Sequence, residues 1–293
     1  MLRPIALLLA LAAFAPEPAK TPPGTAEVIA AATPADWRRV DPANTLYMEV
    51  GAGTVVIELA PQFAPLHVAN IKTLVREKFF DGTTINRVQE NYVTQWGDGT
   101  EKKSLGGAGA TMPLEAERPA NGLAFTRIRQ RDAYAPEVGF VDGFATAGDR
   151  SGQAWMTHCY GTVGVGRGES PDSGSGAELY TAIGHAPRHL DRNYAPVGRI
   201  LQGMDLLTAL PRGTGQLGFY EDEKQRVAIR RVRLGTEVPA AERIDLEVMR
   251  TDTPTFAAFV DARANRDRDG FMIGMGGVDL CNIRVPVRPV AKP

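Results

Sequence analysis

The stretch that decides the fold reads FFDGTTINRV over residues 79–88, and YVTQWGD follows it over residues 92–98. Extended segments are predicted around Thr84–Val88 and Tyr92–Gln95. The Asp81-Gly82 turn before them ends a preceding helix. We therefore expect two successive strands that carry an arginine, Arg87, and an amide, Gln95.

Upstream of this stretch, the sequence predicts a hairpin followed by a helix. Apolar residues alternate on both sides of the glycine-rich turn over residues 51–53: Leu46, Met48, Val50, Val55, Ile57 and Leu59. This period of two is typical of paired strands with one buried face. Val68, Ile71, Leu74 and Val75 then follow helical spacing, which predicts a helix from about Ala64 to Lys78.

Downstream, short strands are predicted over residues 161–166, 178–181, 196–200 and 227–234, with a short helix from about Gly203 to Leu210. A phase slip between Ile229 and Val232 indicates a bulge in the last of these strands. Many short strands with only two modest helices favour a mostly β protein built on a closed barrel.

Two regions do not follow this pattern. Residues 99–160 are rich in glycine and charge, which predicts long loops in an insertion. Residues 238–293 contain a possible strand around residues 244–248 and a helix beginning at Thr253-Pro254, with an apolar face of Phe256, Phe259 and Val260. The sequence leaves open whether this C-terminal extension packs on the barrel or forms a small module.

The N-terminus predicts export. One arginine precedes an apolar run that ends at Ala15, which is typical of a signal peptide over residues 1–15 and too short for the roughly 20 residues of a membrane span. Residues 16–44 are rich in proline and alanine and predict a linker outside the fold. Of the two cysteines, Cys159 and Cys281, the sequence permits either a disulfide or two unpaired thiols.

Composition excludes several classes of function. Lys plus Arg is 33 and Asp plus Glu is 34, so a formal charge of −1 argues against a nucleic-acid binder. Neither the cysteines nor the four histidines are spaced as a metal site, so no metal and no cofactor are expected. No nucleophile motif or carboxylate pair stands out for hydrolytic chemistry.

The opening stretch resembles the cyclophilin-type peptidyl-prolyl cis-trans isomerases. Residues 79–88 are similar to the family's arginine-bearing strand, and residues 92–98 to the "Q-GD" strand after it. Residues 161–167, 176–180, 190–200 and 203–205 match further family segments in order and spacing over roughly residues 45–237. The resemblance implies an eight-stranded antiparallel barrel with two capping helices over residues 45–237, interrupted by the insertion at about 99–160.

The resemblance also implies a site. Arg87 matches the family's catalytic arginine, which would place a charged donor near the prolyl nitrogen. The other matching positions imply substrate-binding residues: Tyr92, Val93, Gln95, Gly166, Arg167, Glu178, Tyr180, His189, Leu190 and Tyr194. Among these, Gln95 would bind a substrate carbonyl, and the backbone at Gly166 and Arg167 would pair with the residue before proline.

Several positions depart from the family pattern. Asn86 replaces a histidine, Glu178 a glutamine and Tyr194 another histidine, while His189 stands where many members have the tryptophan that contacts cyclosporin. We therefore expect weak cyclosporin binding, and Glu178 either orients Arg87 or partly neutralises it.

The resemblance predicts an enzyme that isomerises X–Pro bonds in proline-containing polypeptides and assists their folding. Together with the signal peptide predicted over residues 1–15, it predicts a periplasmic or secreted monomer that acts on exported polypeptides, with no stable membrane anchor after signal cleavage. The alternative is a non-catalytic peptide-binding module on the same barrel.

Overall fold

The computed structural model describes residues 22–168 and 173–290, and within these residues the chain forms four helices and sixteen strands. The predicted signal peptide lies outside the described residues. The helices are α1 (Thr25–Ala31), α2 (Pro65–Arg76), α3 (Met204–Thr208) and α4 (Pro254–Ala264). The strands are β1 (Trp37–Arg39), β2 (Thr45–Val50), β3 (Gly53–Leu59), β4 (Thr84–Val88), β5 (Val93–Gly97), β6 (Arg118–Pro119), β7 (Thr126–Arg127), β8 (Glu137–Val141), β9 (Phe144–Gly148), β10 (Gln153–Met156), β11 (Thr162–Val165), β12 (Leu179–Ala182), β13 (Pro196–Gln202), β14 (Val227–Leu234), β15 (Leu246–Met249) and β16 (Val287–Pro289). No helix among the described residues is long and apolar enough to cross a bilayer.

Eight of the strands close an antiparallel barrel in the order β11-β12-β5-β4-β14-β2-β3-β13, which confirms the predicted architecture. In the β2–β3 hairpin, Leu46 pairs with Ile57 and Met48 with Val55, so the alternating apolar residues face the interior. Helices α2 and α3 complete the same core, where Leu74 and Leu207 are fully buried. These are the two predicted capping helices.

The predicted bulge in β14 is present. The register against β2 shifts between Ile229 and Arg231. Ile229 and Val232 are both buried in the core although they are three residues apart on one strand. One extra residue is therefore needed to bring both side chains to the same face.

The insertion is more ordered than its sequence predicts. Residues 99–117 form loops, but the five strands that follow build a separate sheet in the order β6-β10-β9-β8-β7. Two of these strands have only two residues, and β6 pairs with β10 across a long stretch of sequence. Such short segments with distant partners carry no periodic signal. The β8–β9 hairpin is local, however, and its Asp142-Gly143 turn was a signal that sequence reasoning missed.

The prediction of a linker over residues 16–44 is wrong for residues 22–44, which the structure describes. Helix α1 packs against α4, and β1 pairs with β15. Val28 and Trp37 are buried in a shared core. Two of the prolines, Pro34 and Pro42, begin short 3-10 turns, a position where the missing N–H is harmless.

The C-terminal extension both packs on the barrel and belongs to a second module. Strands β1, β15 and β16 form a three-stranded sheet, and α4 begins at the predicted cap, where the Thr253 hydroxyl accepts from the Phe256 N–H at 3.2 Å. We name residues 25–39, 118–159 and 246–289 the accessory module, because they share one core. That core contains Val28, Trp37, Val138, Phe140, Ala147, Trp155, Met249, Phe256, Phe259, Val260, Leu280 and Ile283.

A disulfide and a buried ion pair fasten these parts together. Cys159, at the end of the insertion, is bonded to Cys281 in the extension, which decides between the two alternatives that the sequence left open. The carboxylate of Glu58 on barrel strand β3 forms ion pairs with Arg38 of β1, at 2.7 Å, and with Arg199 of β13, at 2.9 Å. The accessory module is therefore fixed to the barrel.

Candidate functional site

A bulge in β4 aims Arg87 away from the barrel interior. The register of β4 against β5 shifts between Ile85 and Arg87, so Asn86 is the extra residue. Ile85 and Val88 are both fully buried in the barrel core, and Arg87 between them is only half-buried. Without the bulge, Arg87 would lie on the same face as Ile85 and point into the core.

Contacts on several sides fix the guanidinium of Arg87. Its Nε donates to the Leu217 carbonyl at 2.7 Å, and its Nη1 donates to the Gln95 Oε1 at 3.0 Å. Its Nη2 donates to the side chain of Gln89. Among the described residues, nothing accepts from the two remaining N–H groups, so these donors are available to a ligand.

The guanidinium also lies between two aromatic rings. Its Cζ is 5.7 Å from the ring centroid of Tyr92 and 5.4 Å from that of Phe219. Burial lowers the pKa of Arg87 below its ordinary value, and Tyr92 and Glu178 oppose this shift. An arginine remains charged in spite of such a shift, so the group is a permanent cation.

Glu178 lies near both Gln95 and Arg87. The Gln95 Oε1 accepts from Arg87, and both residues act on the pKa of Glu178. Burial raises the pKa of Glu178, the charge of Glu101 adds to the rise, and Gln95 and Arg87 oppose it. The negative charge of Glu178 and the positive charge of Arg87 therefore act on each other across the site.

A cavity of about 90 Å³, with polar as well as apolar walls, opens beside Arg87. Val93, Tyr180 and Leu190 are buried there and form a small cluster of their own, with Tyr92 and Tyr194 packed against it. Nine residues line the cavity: Arg87, Tyr92, Val93, Gln95, Gly166, Arg167, Tyr180, Leu190 and Tyr194. We name this cavity the Arg87 pocket.

The ring of Tyr180 forms one wall of the Arg87 pocket and is held on three sides. A Cβ at position 164 would lie 2.4 Å from the Tyr180 hydroxyl oxygen, so only a glycine fits there. Tyr194 packs edge-on at 6.0 Å between ring centroids. The hydroxyl is 2.8 Å from the Nε2 of His158. Burial raises the pKa of Tyr180 well above its ordinary value, so this phenol is neutral.

The rim of the pocket is made of stacked aromatic and cationic groups. Tyr92 stacks on His189 with an interplanar angle of 7°, and its hydroxyl is 3.2 Å from the His189 Nε2. The guanidinium of Arg167 lies 4.4 Å from the centroid of the Tyr194 ring. The rim therefore presents flat, polarisable surfaces next to the cavity.

The structure brings all the predicted site residues together. Nine line the Arg87 pocket, Glu178 joins it through Gln95, and His189 joins it through Tyr92. The N–H of Gly166 already donates to the Glu178 carbonyl at 2.8 Å. This N–H is therefore engaged within the barrel and is not free to pair with a substrate backbone.

Sequence reasoning missed a buried polar chain below the pocket. His158 contacts Asp191, and Asp191 accepts from Arg188, which in turn donates to Asp132 in the insertion. One signal was present: Tyr180 puts a hydroxyl into a pocket position expected to be apolar, and a buried hydroxyl needs a partner. The identity of that partner could not be deduced, because His158 belongs to the insertion.

Within the part of the chain that the structure describes, no cluster of three or more histidine, cysteine, aspartate or glutamate residues is arranged to hold a metal ion. The Arg87 pocket itself combines a fixed cation, the Gln95 amide and an apolar cluster.

A family model and known relatives match this chain. The model described as cyclophilin type peptidyl-prolyl cis-trans isomerase/CLD matches residues 45–234. A probable peptidyl-prolyl cis-trans isomerase of Brucella suis biovar 1 (strain 1330) is 27% identical over 174 residues, which cover 59% of this chain and 74% of the relative. A peptidyl-prolyl cis-trans isomerase of Acinetobacter baylyi is 27% identical over 200 residues, which cover 66% of this chain and 86% of the relative.

Among solved structures, the cyclophilin AquaCyp293 from Hirschia baltica is similar to this chain with a TM-score of 0.69 and 28% sequence identity. The match covers 89% of this chain and 96% of that protein. It therefore extends beyond the barrel into the accessory module.

Proposed function

Because the chain belongs to the cyclophilin-type peptidyl-prolyl cis-trans isomerases, and is an enzyme of that class, we propose that it rotates X–Pro bonds at the Arg87 pocket and that its substrates are exported polypeptides. A guanidinium fixed at the edge of a cavity that has an apolar cluster in its wall is the observation that carries the assignment of the site.

The reaction breaks no covalent bond. Rotation about a peptide C–N bond meets a barrier of about 18–20 kcal/mol, because the nitrogen shares its lone pair with the carbonyl. A donor next to the prolyl nitrogen localises that lone pair and weakens the double-bond character. Each reduction of the barrier by about 1.4 kcal/mol gives a tenfold increase in rate.

Arg87 is suited to be this donor. Its orientation is set before the substrate arrives by Leu217 and Gln95, and a preorganised charge needs no rearrangement during the reaction. Half-burial keeps water from screening the charge completely. We assign Arg87 as the catalytic residue.

The remaining pocket residues bind the substrate. The proline ring enters the apolar space between Val93, Tyr180 and Leu190. Gln95 turns its amide toward the substrate carbonyl, and the backbone at Gly166 and Arg167 pairs with the residue before proline. These contacts hold the ring while the carbonyl side of the bond turns.

The test is cis–trans exchange on an Ala-Pro peptide, followed by NMR, for the wild type and for Arg87→Ala. The loss of one preorganised donor predicts a fall in kcat/KM of about 100-fold. Arg127→Ala is the matched control, since Arg127 is also a partly exposed arginine on a strand but bonds to Glu137 in the inserted sheet; its rate should equal that of the wild type. An Arg87→Ala variant as fast as the wild type refutes the assignment, and a wild type no faster than buffer leaves only the peptide-binding alternative.

Export is supported by the pattern of residues 1–15 and by the Cys159–Cys281 disulfide, because disulfides persist mainly in oxidising compartments. We propose a periplasmic or secreted monomer that assists the folding of proline-containing polypeptides. N-terminal sequencing of protein recovered from the periplasm and the medium tests this, with cleavage after the apolar run as the expected result. An intact Met1 in the cytoplasmic fraction contradicts it, and light scattering checks the monomer.

A further inference from the structure

His158 lies at the end of the insertion but contacts the Arg87 pocket. It is fully buried, and it immediately precedes the cysteine that joins the insertion to the C-terminal extension. Its ring stacks near that of Tyr180 with an interplanar angle of 13°, and its Nε2 is 2.8 Å from the Tyr180 hydroxyl. The accessory module therefore supplies a partner to a pocket wall that otherwise belongs to the barrel.

The protons on this contact are set by Asp191. The Asp191 Oδ1 is 3.0 Å from the His158 Nδ1 and also accepts the His158 backbone N–H at 2.9 Å. A carboxylate only accepts hydrogen bonds, so the Nδ1 carries a proton and donates. In the neutral ring, the Nε2 then offers its lone pair to the Tyr180 hydroxyl, which donates.

Asp191 is itself fixed from the far side. Its Oδ2 accepts from the Arg188 Nε at 2.6 Å, and Arg188 donates to both carboxylate oxygens of Asp132 at 2.7 and 3.1 Å. The Arg188 and Asp132 side chains are 3% and 1% exposed, so water does not compete for these bonds. The chain Asp132–Arg188–Asp191–His158–Tyr180 is thus a rigid connection from the insertion to the pocket.

We propose that His158 is a positioning residue for the isomerase reaction: it anchors the hydroxyl of Tyr180 and so keeps that ring flat along the wall of the slot that receives the proline ring. The proposal rests on the function proposed for the Arg87 pocket. Tyr180 is one of nine residues that line a cavity of only about 90 Å³, so a displaced ring would change the shape of the slot. Loss of the anchor therefore affects substrate binding, whereas the donor Arg87 is untouched.

The test measures KM and kcat separately on an Ala-Pro peptide. For His158→Leu we expect KM to rise by about fivefold to tenfold, with kcat within about twofold of the wild type, since one anchoring hydrogen bond is lost. His158→Gln keeps an acceptor for the hydroxyl and a donor for Asp191, so it should restore KM. Tyr180→Phe should raise KM like His158→Leu, and the two changes together should raise it no further than either alone, because both remove the same contact.

His67→Leu is the matched control. His67 is also fully buried and bonded to a carboxylate of the insertion, with its Nδ1 2.7 Å from Glu115, but it does not line the Arg87 pocket. Its KM should stay at the wild-type value.

The possible failures are distinguishable. A wild type without activity refutes the proposed function, whereas an active wild type with an unchanged KM in His158→Leu refutes only the role of His158. If His158→Leu does not fold, the variants Tyr180→Phe and His158→Gln test the proposal instead. An unchanged KM in Tyr180→Phe overturns it. A raised KM in Tyr180→Phe together with a wild-type KM in His158→Gln supports it.

Discussion

Removal of the Cys159–Cys281 disulfide should cost this protein a large part of its stability. The bond joins residues 122 positions apart, and Cys159 is only 7% exposed. By the chain-entropy relation, a crosslink that closes a loop of this length stabilises the folded state by about 5 kcal/mol, and measured values are typically about 2–4 kcal/mol. We expect a loss of about 3–5 kcal/mol in Cys159→Ser/Cys281→Ser, and a fall in Tm on the order of 10 °C.

Urea unfolding followed by tryptophan fluorescence measures this loss. Trp37 and Trp155 lie in the core of the accessory module and Trp96 in that of the barrel, so a Trp96→Phe background isolates the module. The double serine variant should unfold at the same urea concentration with and without dithiothreitol, whereas the wild type should shift only when reduced. Equal midpoints for the oxidised wild type and the serine variant would refute the reasoning, as would two alkylation labels on protein that was never reduced.

Three further predictions concern the Arg87 pocket. Burial raises the pKa of Glu178, so its ionised form at neutral pH destabilises the folded state and weakens the effect of the Arg87 charge on the prolyl nitrogen. Activity should therefore rise as the pH falls toward about 4.5, the ordinary pKa of a glutamate. Glu178→Gln should be more active at pH 7 with a flat pH profile in the exchange assay, and more stable, with a higher urea midpoint. A Glu178→Gln variant with the wild-type pH profile would assign that pH dependence to another group. Gly164→Ala should displace the Tyr180 ring and raise KM by about tenfold or more, because the new Cβ would lie 2.4 Å from the hydroxyl oxygen; a wild-type KM would show that the ring has room to move. Cyclosporin should inhibit the wild type weakly and His189→Trp more strongly, and equal inhibition constants would contradict the expected contact.

The barrel could be predicted from sequence because its information is local. The β2–β3 hairpin shows strict alternation, and the slip in β14 appears as two core residues three positions apart. The residues of the Arg87 pocket were found through the family's motifs, which place each of them on a strand or turn of the barrel. Their contacts with one another follow from the closure of that barrel.

The accessory module and the buried chain below the pocket could not be predicted in the same way. Strand β1 has three residues, and its partner β15 begins more than two hundred residues later. The pairing of His158 with Tyr180 joins the insertion to a barrel strand, and neither residue stands in a motif that points to the other. Such pairs are selected by the assembled structure, and no local pattern of hydrophobicity records them.

The accessory module draws on both ends of the chain, which imposes an order on biosynthesis. Helix α1 and strand β1 are translated before the barrel strands, but their partners α4 and β15 are translated after them. Val28 and Trp37 in the nascent N-terminal segment therefore lack their C-terminal packing partners until all eight barrel strands have been synthesised. Truncation of the last forty residues removes α4 but keeps β15, so it should expose helix α1 to proteases while β1 keeps its partner strand.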